Sequence, residues 1–183
     1  MTDMKKAILI FLIITITLPA LPQVTLPNTS GVKWLTLEQA EKLMTNSPKP
    51  LFIDTYTDWC GWCKKMDQDT FSDPVIAELL NNKFYPVKFN AEGKEKISFL
   101  GQTFVNDGKY GNAHQLAVAL LQGELSYPTV VFLTKENDKF LVTPLKGYRL
   151  PKDMELFLSY FADKAYEKQS LDEFQKSFIG KVK

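Results

Sequence analysis

Apolar residues along the chain form short continuous runs that predict strands. The clearest run, at residues 51–57, contains one charged residue, Asp54, and is typical of a central strand covered on both faces. The other runs predict, in chain order, a short edge strand at 32–34, a strand at 84–89 that Pro86 interrupts, and strands at 129–133 and 140–143 joined by a hairpin turn at 135–139.

Helical spacing of apolar residues predicts the remaining elements. Thr36 and Gln39 form a capping-box pattern at the start of the first helix, which residues 46–50 end. Asp73 followed by Pro74 marks the start of the second. The residues expected to face inward are, helix by helix, Leu37, Ala40, Leu43 and Met44; Val75, Ile76, Leu79 and Leu80; Leu116, Leu120 and Leu121 of a helix at 113–122; and Met154, Phe157, Leu158, Phe161 and Ala165 of a helix at 151–168.

The order of these elements predicts an α/β fold in which a central mixed β-sheet is flanked by helices on both faces. Segment 93–112 is turn-rich and is interpreted either as a specificity element beside the functional site or as a tolerated insertion. Apolar residues recur at near-helical spacing in the charged tail at 169–183, so a short helix is expected there.

Composition indicates one folded domain. The 183 residues are 45% hydrophobic, which is enough to bury a core. The 22 basic and 21 acidic side chains give a formal net charge of +1, so there is no electrostatic reason to expect nucleic acid as a partner. The domain is expected at 32–168, preceded by a flexible lead-in at 21–31.

The N-terminal residues have the pattern of a secretory signal peptide. Two lysines precede an apolar segment at 7–18, and Pro19 and Ala20 follow it. That segment is shorter than the roughly 20 residues of a bilayer-spanning helix. We therefore expect a signal peptide at 1–20, cleaved near Ala20, and an exported, periplasmic protein. An uncleaved N-terminal anchor is the alternative.

The chain contains two cysteines, Cys60 and Cys63, just after the predicted central strand. A bridge between them closes almost no loop, so as a structural staple it would contribute little to stability. Metal binding needs further ligands, and the chain's one histidine, His114, is distant in sequence. Haem attachment needs a histidine after Cys63, where Lys64 stands instead. The spacing therefore favours thiol–disulfide chemistry without a metal or another cofactor.

These cysteines belong to a longer pattern. It reads Asp54-x-x-x-x-Trp59-Cys60-x-x-Cys63-Lys64, with Tyr127-Pro128-Thr129 before a later strand. This pattern resembles the thioredoxin superfamily, and residues 58–66 are similar to exported thioredoxin-related thiol:disulfide interchange proteins. The resemblance extends over roughly 32–168 and implies a thioredoxin-like fold.

The resemblance also implies catalytic roles. Cys60, at the amino end of a helix, is the expected nucleophile, and Cys63 is the expected resolving thiol. Asp54 is expected to be buried behind the cysteines with a raised pKa and to carry the proton of the resolving thiol. The alternative for Asp54 is a strand-end aspartate held by a hydrogen bond. A cis bond before Pro128 is expected to place the backbone of Tyr127 beside Cys60, where an extended substrate can pair.

Two tryptophans flank the expected nucleophile. Trp59 and Trp62 are candidates for an apolar substrate-docking surface, with burial in the core as the alternative. Trp62 stands where thioredoxins typically have proline, and because an indole adds no charge that stabilises a thiolate, we expect a reductant. His114 has no recognisable partner motif and is expected to be a capping or surface residue.

The sequence thus predicts an exported protein-disulfide oxidoreductase, with a thioredoxin-like reductase favoured, that serves cell redox homeostasis. Its expected partners are protein thiols and disulfides and a membrane electron donor, and we expect a monomer. One alternative is a disulfide oxidase or isomerase. Another is a non-catalytic thioredoxin-fold binding module whose cysteines are incidental.

Overall fold

The computed structural model describes residues 31–47, 49–136 and 139–183. The predicted signal peptide lies outside these residues, as do nearly all of the lead-in and the tip of the predicted hairpin turn. The helices are α1 Leu37–Asn46, α2 Gly61–Asp69, α3 Pro74–Lys83, α4 Gln115–Leu120, α5 Pro151–Ala162 and α6 Leu171–Ser177, with a 3-10 turn at Ala165–Glu167. The strands are β1 Leu51–Tyr56, β2 Tyr85–Asn90, β3 Ile97–Phe99, β4 Gln102–Phe104, β5 Thr129–Glu136 and β6 Lys139–Lys146.

A four-stranded sheet in the order β2-β1-β5-β6 forms the centre of the described chain. β1 pairs in parallel with β2 and antiparallel with β5, and β5 pairs antiparallel with β6. This arrangement confirms the predicted mixed sheet. The turn-rich segment 93–112 contains the separate hairpin of β3 and β4.

The core forms two layers, one on each face of this sheet. Successive side chains of β1 alternate, so that Leu51 and Ile53 enter one layer and Phe52 enters the other. The first layer holds residues of α1 and α4, including Ala40, Leu116 and Leu120. The second holds residues of α2, α3 and α5, including Met66, Leu80 and Leu158. Helices therefore cover both faces, as predicted.

The helix starts follow the sequence signals. Thr36 and Gln39 complete the predicted capping box of α1. The Asp73 carboxylate accepts from the N–H groups of Val75 and Ile76, which satisfies two otherwise free donors at the start of α3.

Strand β2 continues through Pro86, where the sequence predicts an interruption. The Leu35 N–H donates to the Pro86 carbonyl from outside the sheet at 2.8 Å, so Pro86 presents its backbone to the outer edge. The missing N–H therefore removes no hydrogen bond to β1, because β2 is an edge strand.

Three further local predictions are wrong. Residues 32–34 form no strand: only Leu35 bridges to β2, and the Trp34 ring packs on Phe52 and Phe71 instead. The helix predicted at 151–168 ends at Ala162, because Lys164 takes a left-handed conformation (φ 53°) that stops it. Leu43 is exposed, since it lies to the side of the stripe that α1 buries.

Candidate active site

The cysteine pair lies at the junction between β1 and α2. Cys60 is the N-cap of α2, and the N–H of Cys63 donates to Cys60 Sγ at 3.1 Å. The two sulfurs form a disulfide, and both cysteines are buried. A helix N-terminus offers free N–H groups and the positive end of the helix dipole, and both stabilise a thiolate after reduction.

Asp54 is buried in the middle of β1, with 1% of its surface exposed. Its Oδ2 lies 2.9 Å from Lys88 Nζ on β2, whereas Oδ1 has no hydrogen-bond partner among the described residues. Burial raises the pKa of Asp54 from 3.8 to about 6, against the opposing effect of the Lys88 charge. The carboxyl group thus changes protonation near neutral pH.

Lys88 connects Asp54 to the helix that carries the cysteines. Its ammonium also forms an ion pair with Asp67, which lies one turn after Cys63 on α2. Burial alone would lower the pKa of Lys88, but the charges of Asp54 and Asp67 outweigh it and raise that pKa. Lys88 is not among the site residues predicted from the sequence, although a charged residue inside an apolar strand is the same signal that indicates Asp54.

Tyr127 and Pro128 immediately precede β5, and the peptide bond between them is cis, as the resemblance implies. The Tyr127 ring meets Trp59 edge to face at 5.9 Å between ring centroids. This contact places the Tyr127 segment next to the residue that precedes Cys60. The Pro128 carbonyl accepts from the N–H of Gly147 at 2.8 Å, which holds the segment against the end of β6.

The two tryptophans are exposed, with 66% of Trp59 and 61% of Trp62 accessible, so neither belongs to the core. Trp59 Nε1 donates to Glu92 at 3.0 Å. Trp62 packs on Tyr148 at 5.4 Å, and the Tyr148 hydroxyl donates to Asp69 of α2 at 2.5 Å. An exposed tryptophan therefore directly precedes each cysteine in the chain.

Neither Glu92 nor Tyr148 is among the site residues predicted from the sequence. No local pattern indicates them, because each reaches its tryptophan from a different part of the fold.

His114 caps α4, as predicted, but it is buried, so its expected alternative as a surface residue is wrong. Its Nδ1 accepts from the N–H of Leu116, and its Nε2 lies 2.9 Å from the Glu95 carbonyl, which places the ring proton on Nε2. His114 thus ties the start of segment 93–112 to α4.

Residues 31–47, 49–136 and 139–183 contain no group of three or more potential metal-binding side chains. Within the same ranges, no helix combines the length and the apolar character that crossing a membrane requires.

Known proteins share parts of this sequence. The thiol:disulfide interchange protein DsbD of Pectobacterium atrosepticum is 42% identical over 119 residues, which are 65% of this chain and 18% of that protein. DsbD of Escherichia coli K12 is 24% identical over 127 residues, which are 69% of this chain and 19% of that protein. The chain therefore matches about a fifth of the length of these relatives.

Solved structures share the fold. A thioredoxin from Thermus thermophilus superposes with a TM-score of 0.55 at 17% identity, covering 82% of this chain and 100% of that one. A structure described as DsbH oxidoreductase gives 0.54 at 17% identity, covering 79% of this chain and 94% of that one. At this identity the likeness establishes the fold alone.

The family assignment comes from the sequence. The model of the Thioredox_DsbH family, described as "Protein of unknown function, DUF255", matches residues 22–171, which is most of the chain. The chain therefore belongs to the Thioredox_DsbH family and has the thioredoxin fold, with a Cys-x-x-Cys disulfide at the start of α2.

Proposed function

We propose that this protein is an exported thiol–disulfide oxidoreductase that exchanges protein disulfides through Cys60 and Cys63. The observation that carries the proposal is the disulfide at the N-terminus of α2 and its connection to the buried Asp54 carboxyl. Asp67, on the same helix, forms an ion pair with Lys88, and Lys88 also forms an ion pair with Asp54. The DsbD relatives, named as thiol:disulfide interchange proteins, support the same chemistry.

In the reductive direction the Cys60 thiolate attacks one sulfur of a substrate disulfide. A mixed disulfide forms, and the other substrate sulfur leaves as a thiolate. Cys63 then loses its proton and attacks Cys60 Sγ, which releases the second substrate thiol and restores the Cys60–Cys63 disulfide. Two electrons pass from the protein to the substrate.

Asp54 is proposed to accept the proton of Cys63 in the second step. A carboxyl with a pKa of about 6 is mostly ionised at neutral pH, so it can accept a proton, and its pKa is close enough to neutrality for it to return that proton. The ion pairs of Lys88 with Asp54 and Asp67 support this role, because Asp67 and Cys63 lie one turn apart on α2.

Trp62 brings no charge to stabilise the Cys60 thiolate, which favours a reductase. A reductase in an oxidising compartment needs a supply of electrons, so we propose a membrane electron donor as its partner. Export to the periplasm rests on the signal-peptide pattern at 1–20, and we propose that the protein acts as a monomer.

Equilibration with glutathione buffers, followed by insulin reduction, tests the activity and its direction. We expect a potential near that of thioredoxin, about −270 mV, and insulin reduction that Cys60→Ser abolishes. A potential near −120 mV would instead indicate a disulfide oxidase. Full insulin reduction by Cys60→Ser would show that the cysteines are incidental.

The proton-transfer role of Asp54 requires separate measurement of the two steps. In Asp54→Asn we expect release of the mixed disulfide to slow by about 100-fold, the lower end of the range for general acid–base catalysis, while the first attack changes little. Rapid-quench kinetics with a chromogenic disulfide resolves the steps. Equal slowing of both steps would refute proton transfer by Asp54.

A further inference from the structure

A cavity of about 340 Å³ opens beside Trp59, the residue that precedes Cys60. Its wall combines aromatic rings, an aliphatic side chain and one carboxylate, contributed by Trp59, Tyr110, Tyr127, Leu125 and Glu92. Trp59, Tyr110 and Leu125 are all exposed. The cavity therefore combines aromatic side chains and a negative charge beside Tyr127, whose backbone is expected to pair with an extended substrate.

The negative charge is held in position. Glu92 Oε2 accepts from Trp59 Nε1 at 3.0 Å, and the N–H of Glu92 donates to the side chain of Asn90. Asn90 also donates to Asp58, so a second carboxylate lies close by. Burial and, to a lesser extent, the charge of Glu92 raise the pKa of Tyr127.

The ring of Tyr110 also lines the cavity, and Tyr110 belongs to segment 93–112, which is held against the cavity wall by hydrogen bonds. The Asn106 side-chain amide donates to the carbonyls of Glu92, Gly93 and Asn112 at 2.7–3.2 Å. These bonds fix the loop that carries Tyr110. The ammonium of Lys109 already lies 5.4 Å from the centroid of the Tyr110 ring, so this ring contacts a cation within the protein itself.

We propose that this cavity binds an arginine or lysine side chain of the substrate polypeptide, close to the disulfide that Cys60 attacks. Aromatic faces attract cations through their quadrupole, Glu92 supplies the opposite charge, and Leu125 contacts the aliphatic stem. An extended substrate paired with the backbone of Tyr127 places alternate side chains on the same side, which directs one of them into the cavity. This inference rests on the proposed function and adds a substrate preference to it.

The test uses symmetric disulfides of a short peptide with one cysteine, in which the second residue on either side of that cysteine is Arg, Ala or Glu. In a single turnover the reduced protein should reduce the Arg peptide with a second-order rate constant about three- to tenfold larger than that for the Ala peptide, and it should reduce the Glu peptide more slowly than either. Equal rates for Arg and Ala peptides would overturn the inference.

Matched variants locate the effect. Glu92→Gln keeps an acceptor for the Trp59 N–H but removes the charge, so the ratio of Arg to Ala rates should fall to about half or less of its wild-type value. Tyr110→Leu should also lower this ratio. Glu124→Gln removes an exposed charge that pairs with Lys146 outside the cavity, and it should leave the ratio unchanged. If Glu92→Gln leaves the ratio of Arg to Ala rates unchanged, the selectivity arises outside this cavity and the inference is overturned.

Binding separates this inference from the redox proposal. The oxidised protein is titrated with the same peptides carrying Ser in place of Cys, and the indole N–H resonance of Trp59 is followed by NMR. A three- to tenfold lower Kd for the Arg peptide supports the cavity as a cation site even if no peptide is reduced, and in that case only the redox proposal fails. Reduction of all peptides at one rate, with equal Kd values, overturns the cation site and leaves the redox proposal standing.

Discussion

The raised pKa of Asp54 predicts that its charge destabilises the folded protein at neutral pH. In the unfolded chain the carboxyl ionises near its ordinary value of 3.8, whereas in the folded protein it ionises at about 6. At about 1.4 kcal/mol for each tenfold change in acidity, this difference amounts to about 3 kcal/mol. Asp54→Asn removes the ionisation and keeps a similar shape, so the variant should be more stable by about this amount above pH 7.

The direction in which the free energy of unfolding changes with pH follows from proton binding. Between pH 4 and 6 the folded state holds the Asp54 proton more tightly than the unfolded state does, so the free energy of unfolding falls as the pH rises through this range. The contribution is fully present below pH 3.8 and lost once the pH exceeds about 6. The advantage of Asp54→Asn should therefore grow from about pH 4 and level off near pH 7.

Urea unfolding of the oxidised wild type and variant at several pH values measures this difference. Asp67→Asn is the matched control, because Asp67 also pairs with Lys88 but its side chain is 41% exposed, and we expect an effect below about 1 kcal/mol. An Asp54→Asn variant that is less stable than wild type at pH 7.5, or a difference that does not change with pH, would falsify the assignment of a raised pKa to a buried carboxyl.

Three further predictions concern other contacts. Lys88→Met removes the charge that opposes the effect of burial, so the pKa of Asp54 should rise further above 6, as followed by NMR titration of its carboxyl carbon; a fall would contradict the pairing. Phe132→Ala should destabilise the protein by about 3–5 kcal/mol in urea unfolding, because this buried ring stacks on Phe161 at 4.0 Å, and a loss below 1 kcal/mol would be inconsistent with that packing. Glu155→Ala should cost about 1–3 kcal/mol and speed hydrogen exchange at Lys181 and Val182, whose N–H groups donate to the buried carboxylate; unchanged exchange there would refute this attachment of the C-terminal tail.

Local patterns predict most of the fold because they contain their own stop and start signals. The capping box at Thr36 and the Asp73-Pro74 pair locate two helix starts without any knowledge of the tertiary structure. The largely apolar run at 51–57 identifies β1 as a central strand, since a near-continuous apolar run is typical of a strand covered on both faces.

The incorrect predictions share one physical cause: each outcome depends on the surroundings of the residue in the folded chain, which the local sequence does not show. Whether Trp34 joins a strand or packs on Phe52 depends on which surface is nearby in the folded chain. The helix stop at Lys164 has no glycine or proline to announce it, because a lysine adopts the left-handed conformation there. Similarly, Pro86 is compatible with a strand only because its backbone faces the outer edge of the sheet.

The sequence by itself determined the family, the α/β fold and the position of the two cysteines at a strand–helix junction, because these depend on neighbouring residues along the chain. Only the tertiary structure decided what surrounds them. Lys88 reaches Asp54 and Asp67 across adjacent elements, and Glu92 reaches Trp59 from a separate loop. Such contacts join residues far apart in sequence, and charges act over distances in space, so the environment of the disulfide is a property of the folded chain.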